Sequence, residues 1–444
     1  MKKAVLLFSG ILFVGGAFAE TVGIEQVRTL ALANSRSLAK YSLSIRNSVL
    51  DERSQLYSML PSPSAEYSAN MNYLNRDWGF ENPVDTFNSE ARFSVTQKIF
   101  EGGKSFIQKE ISAISTESVR KDALAEYFNV LDSADNAYYA VLEAVASLEA
   151  AESSLQTADL SLSIAEIRRT SGMLNQGDYL KALADKEARE NSRNQARRTL
   201  ALNITKLNAI TGPGNITELE QIDFGKYEQL ILRLGNISDA EADALFDTFW
   251  KTLAQTNPSL ARAALNSKRA EKNLSLAKRE PVPTISATVF SGGIGYSKAN
   301  GYTNSSAGGI SIRGSIPIDF WVIANRIEKS KISRESAALD YISAESSLET
   351  ELHTALINAF AQAGSILSSR RSLEYSEKHF EFIMERYRLS QSSMSELTDA
   401  SSLLITSRNN LIRAQYGFLQ SLSRLRFLGA IDDEEKLVKM LTGD

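Results

Sequence analysis

The chain has 444 residues, with 49 Lys and Arg against 53 Asp and Glu, no cysteine, and two histidines. A mildly acidic balance argues against nucleic acid, which is held through cationic side chains on its phosphates. The absence of cysteine excludes disulfides, thiolate metal sites, a cysteine nucleophile and a lipid-modified N-terminal cysteine. His353 and His379 lie far apart in helical sequence, a poor basis for zinc, copper or a Ser-His-Asp triad. No metal, no cofactor and no enzymatic activity are expected.

In chain order, "MKKAVLLFSGILFVGGAFAE" pairs two lysines with an apolar run and Ala17-Phe18-Ala19, the pattern of a cleaved signal peptide over 1–19. The apolar run is about 16 residues, short of the roughly 20 that span a bilayer as a helix. Cleavage removes Lys2 and Lys3, taking the net charge from −4 to −6, 47 basic against 53 acidic residues. No later stretch reaches 18 consecutive apolar residues, so entry into a membrane would require a β-barrel.

The remainder is written twice. "NSRSLAKYSLSIRNSVLDERSQLYSMLPSPS" from Asn34 parallels "NPSLARAALNSKRAEKNLSLAKREPVPTIS" from Asn257, and each helical pattern stops at Pro-x-Pro. The expected layout is a first repeat over 20–212, a joining segment over 213–241, a second repeat over 242–429 and a tail over 430–444. Each repeat reads helix, hairpin, long helix, break, helix, with hairpins at about 63–99 and 283–318.

The hairpin strands alternate with period 2. Tyr67, Ala69 and Met71 oppose Glu66, Ser68 and Asn70; Ala91, Phe93 and Val95 oppose Glu90, Arg92 and Ser94; Ile310 and Ile312 oppose Ser311 and Arg313. The stretch "TISATVF" is weaker, with Phe290 on the otherwise polar side, and residues 74–85 and 296–306 read as loops. The same alternation suits a soluble sandwich. The strand lengths match the roughly 9–11 residues of a tilted membrane strand, however, and nothing else in the sequence supplies a covering layer. Four strands cannot close a barrel, which needs about eight, so several chains would have to share one.

In the long helical stretches Val141, Leu148, Leu155 and Leu162 recur every seventh residue, as do Ala144, Ala151, Ala158 and Ala165. Large and small residues in heptads imply a left-handed supercoil with close helix contact. A looser version follows with Ile366, Leu373 and Phe380 against Ser369, Ser376 and Ile383. Unbroken helix from about 102 to 170 would run roughly 100 Å. Within "SMSELTDASS" (393–402), Glu396 and Asp399 fall on one helix face. They could serve as an acid and base, as a metal site or as a solvated surface.

With "PSPSAEYS" and "PVPTISAT" entering the hairpins, "VTQKIFEGGKS" leaving the first, and "SGMLNQGDYLKALAD" matched by "LSQSSMSELTDASSLL", the chain resembles the TolC-like outer-membrane efflux family from about 22 to 430. The resemblance implies a mixed fold in the cell outer membrane with a large periplasmic portion. Three chains, four strands each, would form a 12-stranded transmembrane β-barrel continued by a long α-helical coiled-coil barrel. The implied partners are two further copies (a homotrimer), outer-membrane lipid, a periplasmic adaptor of the membrane fusion type, and an inner-membrane pump of RND or ABC type. Glu396, Asp399, Asp178 and Tyr387 correspond to the periplasmic pore entrance. Two positions depart from the family pattern: Ser390 stands opposite Gly172, and Ser392 occupies a site often held by arginine. The second hairpin exit, "IPIDFW", lacks the double glycine, and Phe320 and Trp321 there suit a membrane interface. A periplasmic coiled-coil structural or adaptor protein without a barrel is the competing reading. The sequence leaves the cargo open.

Overall fold

The structure, a computed structural model, describes residues 21–72, 86–212, 219–291, 294–297, 301–304, 308–431 and 433–442. The expected signal peptide and the hairpin tip at 74–85 lie outside them. In chain order the first elements are α1 (Ile24–Asn34), α2 (Arg36–Tyr57), β1 (Ser62–Asn72), β2 (Thr86–Phe100), α3 (Lys104–Thr170) and α4 (Gln176–Thr211). A 3-10 turn at Phe224–Tyr227 leads to α5 (Glu228–Gly235), α6 (Asp239–Thr256) and α7 (Pro258–Lys278). Then come β3 (Thr284–Phe290), β4 (Ile294–Ser297), β5 (Gly301–Asn304), β6 (Gly309–Ser315), α8 (Phe320–Arg388), α9 (Met394–Gly429) and α10 (Glu434–Thr442). The chain divides into two compact units, a helical one drawn from residues 21–35, 127–249 and 352–442, and a sheet-bearing one drawn from 36–126 and 250–351.

In the sheet-bearing unit, α7 starts where the sequence signals it. The Asn257 side chain accepts from the Ser259 and Leu260 N–H groups at 2.9 and 3.0 Å, and Pro258 fills the first helical position, where no N–H is needed. All strand pairs are antiparallel. One edge of β2 carries β1; its other edge carries β3 beside residues 94–100 and β4 beside residues 88–91. β6 lies against β3 and β5 against β4. The six segments therefore form four staves, β1, β2, β3 with β4, and β6 with β5. The stretch 296–306, expected as a loop, carries β5 and the end of β4, because the register established by β2 continues beyond Phe290.

Direct antiparallel partners share a face. Ala65 pairs with Phe93, Tyr67 with Ala91, Val95 with Val289, Val289 with Ile310, and Ala287 with Ile312, so the expected apolar sides combine into one apolar face. That face is uncovered among the described residues: Ile310 and Ile312 are each 73% exposed. A bulge between Lys98 and Phe100 brings Phe100, rather than Ile99, opposite Ile285 and keeps the face apolar to its end. The opposite face is polar, with Ser64 and Ser94 hydroxyls 2.9 Å apart and Thr96 and Thr288 hydroxyls 3.0 Å apart. Phe290, the apparent exception, lies over Gly309, whose added Cβ would meet its ring at 2.9 Å, and the Arg92 guanidinium stands 5.3 Å from its centroid.

The exit from β2 needs its glycines. Gly102 and Gly103 have φ of 65° and 75°, and a Cβ on Gly102 would sit 2.6 Å from a Val282 methyl. The second exit has none and instead passes through residues 316–319 to an α8 start where the Asp319 carbonyl accepts from Val322 and Ile323.

In the helical unit the heptads become buried seams. Ser154, Ala158, Ser161 and Ala165 of α3 are buried at spacings of four and three; so are Leu352, Leu356, Ala359, Ala363 and Ile366 of α8. On α3 the small residues, more than the leucines, are enclosed, as close helix approach requires. One core joins Val27 and Ala31 of α1 to Tyr138, Tyr139 and Leu142 of α3, Leu207 of α4 and Leu419 of α9. Within this unit Arg28 forms a bidentate pair with Asp135 at 2.6 and 2.7 Å, both residues being almost fully enclosed. Burial opposes the Arg28 charge, but the Asp135 bond and charge outweigh it and raise its pKa. Ser423 approaches Asp132 at 2.9 Å and Asp135 at 3.2 Å, and burial raises the Asp132 pKa.

Candidate functional site

Two turns of the helical unit, between α3 and α4 and between α8 and α9, hold four of the six residues expected to act. They are built alike. At the end of α3 the Gly172 N–H donates to the Arg169 carbonyl at 3.0 Å and the Met173 N–H to Arg168 at 2.8 Å. At the end of α8 the Ser390 N–H donates to Tyr387 at 3.1 Å and the Gln391 N–H to Arg386 at 2.8 Å. Both closures need a left-handed residue, and Gly172 and Ser390 have φ of 71° and 62°. Ser390 thus keeps the turn that its glycine counterpart forms, at a steric cost from its Cβ.

Each following helix opens with a reciprocal cap. Asn175 accepts from the Asp178 N–H at 2.8 Å and donates its amide to the Asp178 carboxylate at 2.9 Å. Ser393 accepts from the Glu396 N–H at 3.2 Å while its own N–H donates to the Glu396 carboxylate at 3.0 Å. The Ser392 hydroxyl adds a bond of 2.5 Å to Glu396. That bond, with the Ser393 N–H, holds the Glu396 carboxyl below the usual range. Ser392, at the site where the family resemblance implies an arginine, is thus tied to the acid of its own turn. The Asp399 carboxylate, exposed one turn further along α9, has no hydrogen bond or ion pair with any described residue.

Tyr387 is fully buried. It packs with Ala165 and Leu162 of α3, Ala182 and Tyr179 of α4, and Met394, Leu397 and Ala400 of α9. The Arg168 guanidinium stacks 4.8 Å from its ring centroid and donates to its carbonyl at 3.2 Å. Burial pushes the phenol above its ordinary pKa, with Arg168 lowering it and Asp178 raising it. The hydroxyl has no partner among the described residues. Arg169 covers Tyr179 at 4.0 Å, and Lys181 of α4 reaches Ser395 of α9 at 2.8 Å. Tyr387 and Asp178 are thus brought near each other, Glu396 and Asp399 share the start of α9, and Phe320 and Trp321 belong to the other unit. There they open α8, exposed side by side. Sequence reasoning missed Arg168. Its only signal was a basic pair in the last turn of a helix, where cations are ordinarily favourable. Among the described residues no group of His, Asp and Glu could hold a metal ion.

Residues 250–429 match the family described as outer membrane efflux protein. No curated protein sequence matches the chain. Solved structures are similar in fold. The outer-membrane channel OprN superposes with a TM-score of 0.77 at 16% identity, covering 91% of this chain and 89% of OprN. CusC gives 0.78 at 17% identity, covering 91% of each chain. The CmeC outer membrane channel of Campylobacter jejuni gives 0.76 at 14% identity, covering 94% of this chain and 89% of CmeC. Residues 250–429 thus match the outer membrane efflux protein family, and the chain as a whole has the fold of these solved channels.

Proposed function

We propose that three copies of this chain form a passive duct through the outer membrane. The four staves of each copy would contribute to one 12-stranded barrel, and the long helices would continue it as a tunnel. The observation that carries this reading is an unfinished sheet. Its outer edges, on β1 and on β6 with β5, are unpaired among the described residues, and its apolar face is uncovered. Such edges and faces are liabilities unless partners occupy them. The helices attached to those edges agree. α2 buries none of its residues and exposes Leu43, Leu50 and Tyr57 at heptad spacing, and α8 exposes Ile332 and Leu339. Heptad stripes on the two outermost helices suit a head-to-tail ring. The order α2, β1, β2, α3, α4, followed by α7, β3 to β6, α8 and α9, supports the duplicated layout.

The turns carrying Asp178, Tyr387, Glu396 and Asp399 would form the periplasmic mouth. Arg168, stacked on Tyr387, would tie α3 to α8 there in place of an arginine at position 392. Three copies would gather several carboxylates at the opening, which attracts cations. The duct carries out no chemical step; an adaptor and an inner-membrane pump would supply cargo and energy. The segment 213–241 and the tail 430–444 would form a belt about the tunnel, in keeping with the 2.5 Å bond from the Tyr227 hydroxyl to Glu434.

The test is extraction and conductance. The chain should leave membranes only with detergent, run unheated as a trimer and heated as a monomer, and conduct ions in planar bilayers. Glu396→Ala with Asp399→Ala should lower its cation selectivity. A water-soluble monomer would overturn the duct, and unchanged selectivity would remove the acidic mouth.

A further inference from the structure

The sheet-bearing unit holds a cavity that the duct does not use. About 550 Å³ in volume, it lies between the start of α3, the end of α7 and the start of α8, lined in part by Lys104, Asn273, Glu280, Arg326, Lys329 and Ser330. Pockets of this size take small ligands or headgroups. Three cations face one carboxylate. The Lys104 ammonium donates to the Glu280 and Val282 carbonyls at 3.2 and 3.3 Å, which leaves one of its three donors unspent. Arg326 pairs with the Glu280 carboxylate and keeps further N–H groups of its fork. Lys329 has no side-chain bond to any described residue. Asn273 and Ser330 add a neutral amide and a hydroxyl.

The chemistry of that lining selects its ligand. A metal cation would meet three positive charges and a single carboxylate, already paired. An uncharged ligand would leave the surplus charge unanswered. A tetrahedral anion with several terminal oxygens could take Lys329, the spare Lys104 donor and the Arg326 fork together. We infer that this cavity binds a phosphate group. Phe106, Phe320 and Trp321 are exposed close by in sequence, at the starts of α3 and α8, which frame the cavity, and offer apolar surface of the sort found at membrane interfaces. The phosphate could therefore arrive on an anionic phospholipid or as a soluble ion, and the lining residues answer the same chemistry in both. The inference stands on the cavity alone, so its failure would leave the duct untouched.

The test uses the full-length protein in neutral detergent with two probes, phosphatidylglycerol followed by native mass spectrometry and inorganic phosphate followed by calorimetry. Lys329→Gln removes a charge that supports no described contact, so the fold should be unaffected. It should weaken binding about tenfold, the usual loss for one hydrogen bond to a charged group. Glu280→Gln removes the one carboxylate among the described lining residues and should tighten binding. Saturable, Lys329-dependent retention of phosphatidylglycerol alone identifies a lipid headgroup as the source; dependence with inorganic phosphate alone identifies a soluble one; dependence with both identifies a phosphate site indifferent to its carrier. Binding of neither probe, or binding that Lys329→Gln and Glu280→Gln leave unchanged, overturns the site.

Discussion

The two units of this chain spend their apolar residues differently. The helical unit encloses Tyr138, Tyr387, Phe418, Leu207 and Ile366 in cores of its own. The sheet-bearing unit leaves Tyr67, Phe93, Ile310, Ile312, Leu43 and Leu339 exposed, and its α2 buries nothing. A fully buried side chain of this size contributes about 1.5–3 kcal/mol, so the second unit forgoes much of what the first collects. The lesson is that one unit encloses its apolar residues within a single chain, whereas the other leaves its own uncovered among the described residues, as the proposed trimer in lipid requires.

The sharpest way to break that contrast is inside the finished unit. Asp135→Ala leaves the enclosed Arg28 guanidinium with only the exposed Glu25 carboxylate in place of its bidentate partner, and should cost about 3 kcal/mol, the low end for a broken buried pair. Denaturant midpoints of the purified protein measure it, and a loss below about 1 kcal/mol would mean that Glu25 alone compensates the Arg28 charge. Next in size is a change in the unfinished unit that should leave the isolated chain unharmed. Leu50→Asp on α2 should remove about 1.5–3 kcal/mol of contact from each seam of the proposed trimer. Helix content by circular dichroism should stay unchanged while the oligomer dissociates in sedimentation. A drop in monomer helicity would show that Leu50 packs within its own chain.

The smallest effect compares the two helical turns. Ser390→Gly relieves a left-handed serine and should stabilise the protein by about 1 kcal/mol, whereas Gly172→Ala should destabilise it by a similar amount. A paired thermal-denaturation series reads both signs. A Ser390→Gly variant no more stable than the parent would mean that the serine hydroxyl offsets its backbone.

What the sequence disclosed was periodic. Alternation along residues 66–69 and 90–96 and at Ile310 and Ile312 anticipates the common apolar face, because side chains on a strand must change sides at every residue. The proline-free stretch before Thr170 anticipates α3 as one helix of 67 residues. The capping of Glu396 is also local, since Ser393 three residues earlier is half of a capping box. What stayed hidden depends on distant partners. Arg168 meets Tyr387 across 219 residues, and nothing near either one announces the other. Strands β4 and β5 are short and rich in glycine and polar residues, so their pairing comes from the register of β2 rather than from their own composition. Asp135 reads as one more acid in a charged helix until the fold presents Arg28 to it.

That last contact bears on the order in which the chain can mature. A chain made from its N-terminus presents α1 early, yet Arg28 waits 107 residues for Asp135. Ser423, which seats that aspartate, lies 288 residues further along still. The earliest helix is therefore enclosed in steps, against Tyr138 and Leu142 of α3, then Leu207 of α4, and only at the end against Leu419 of α9.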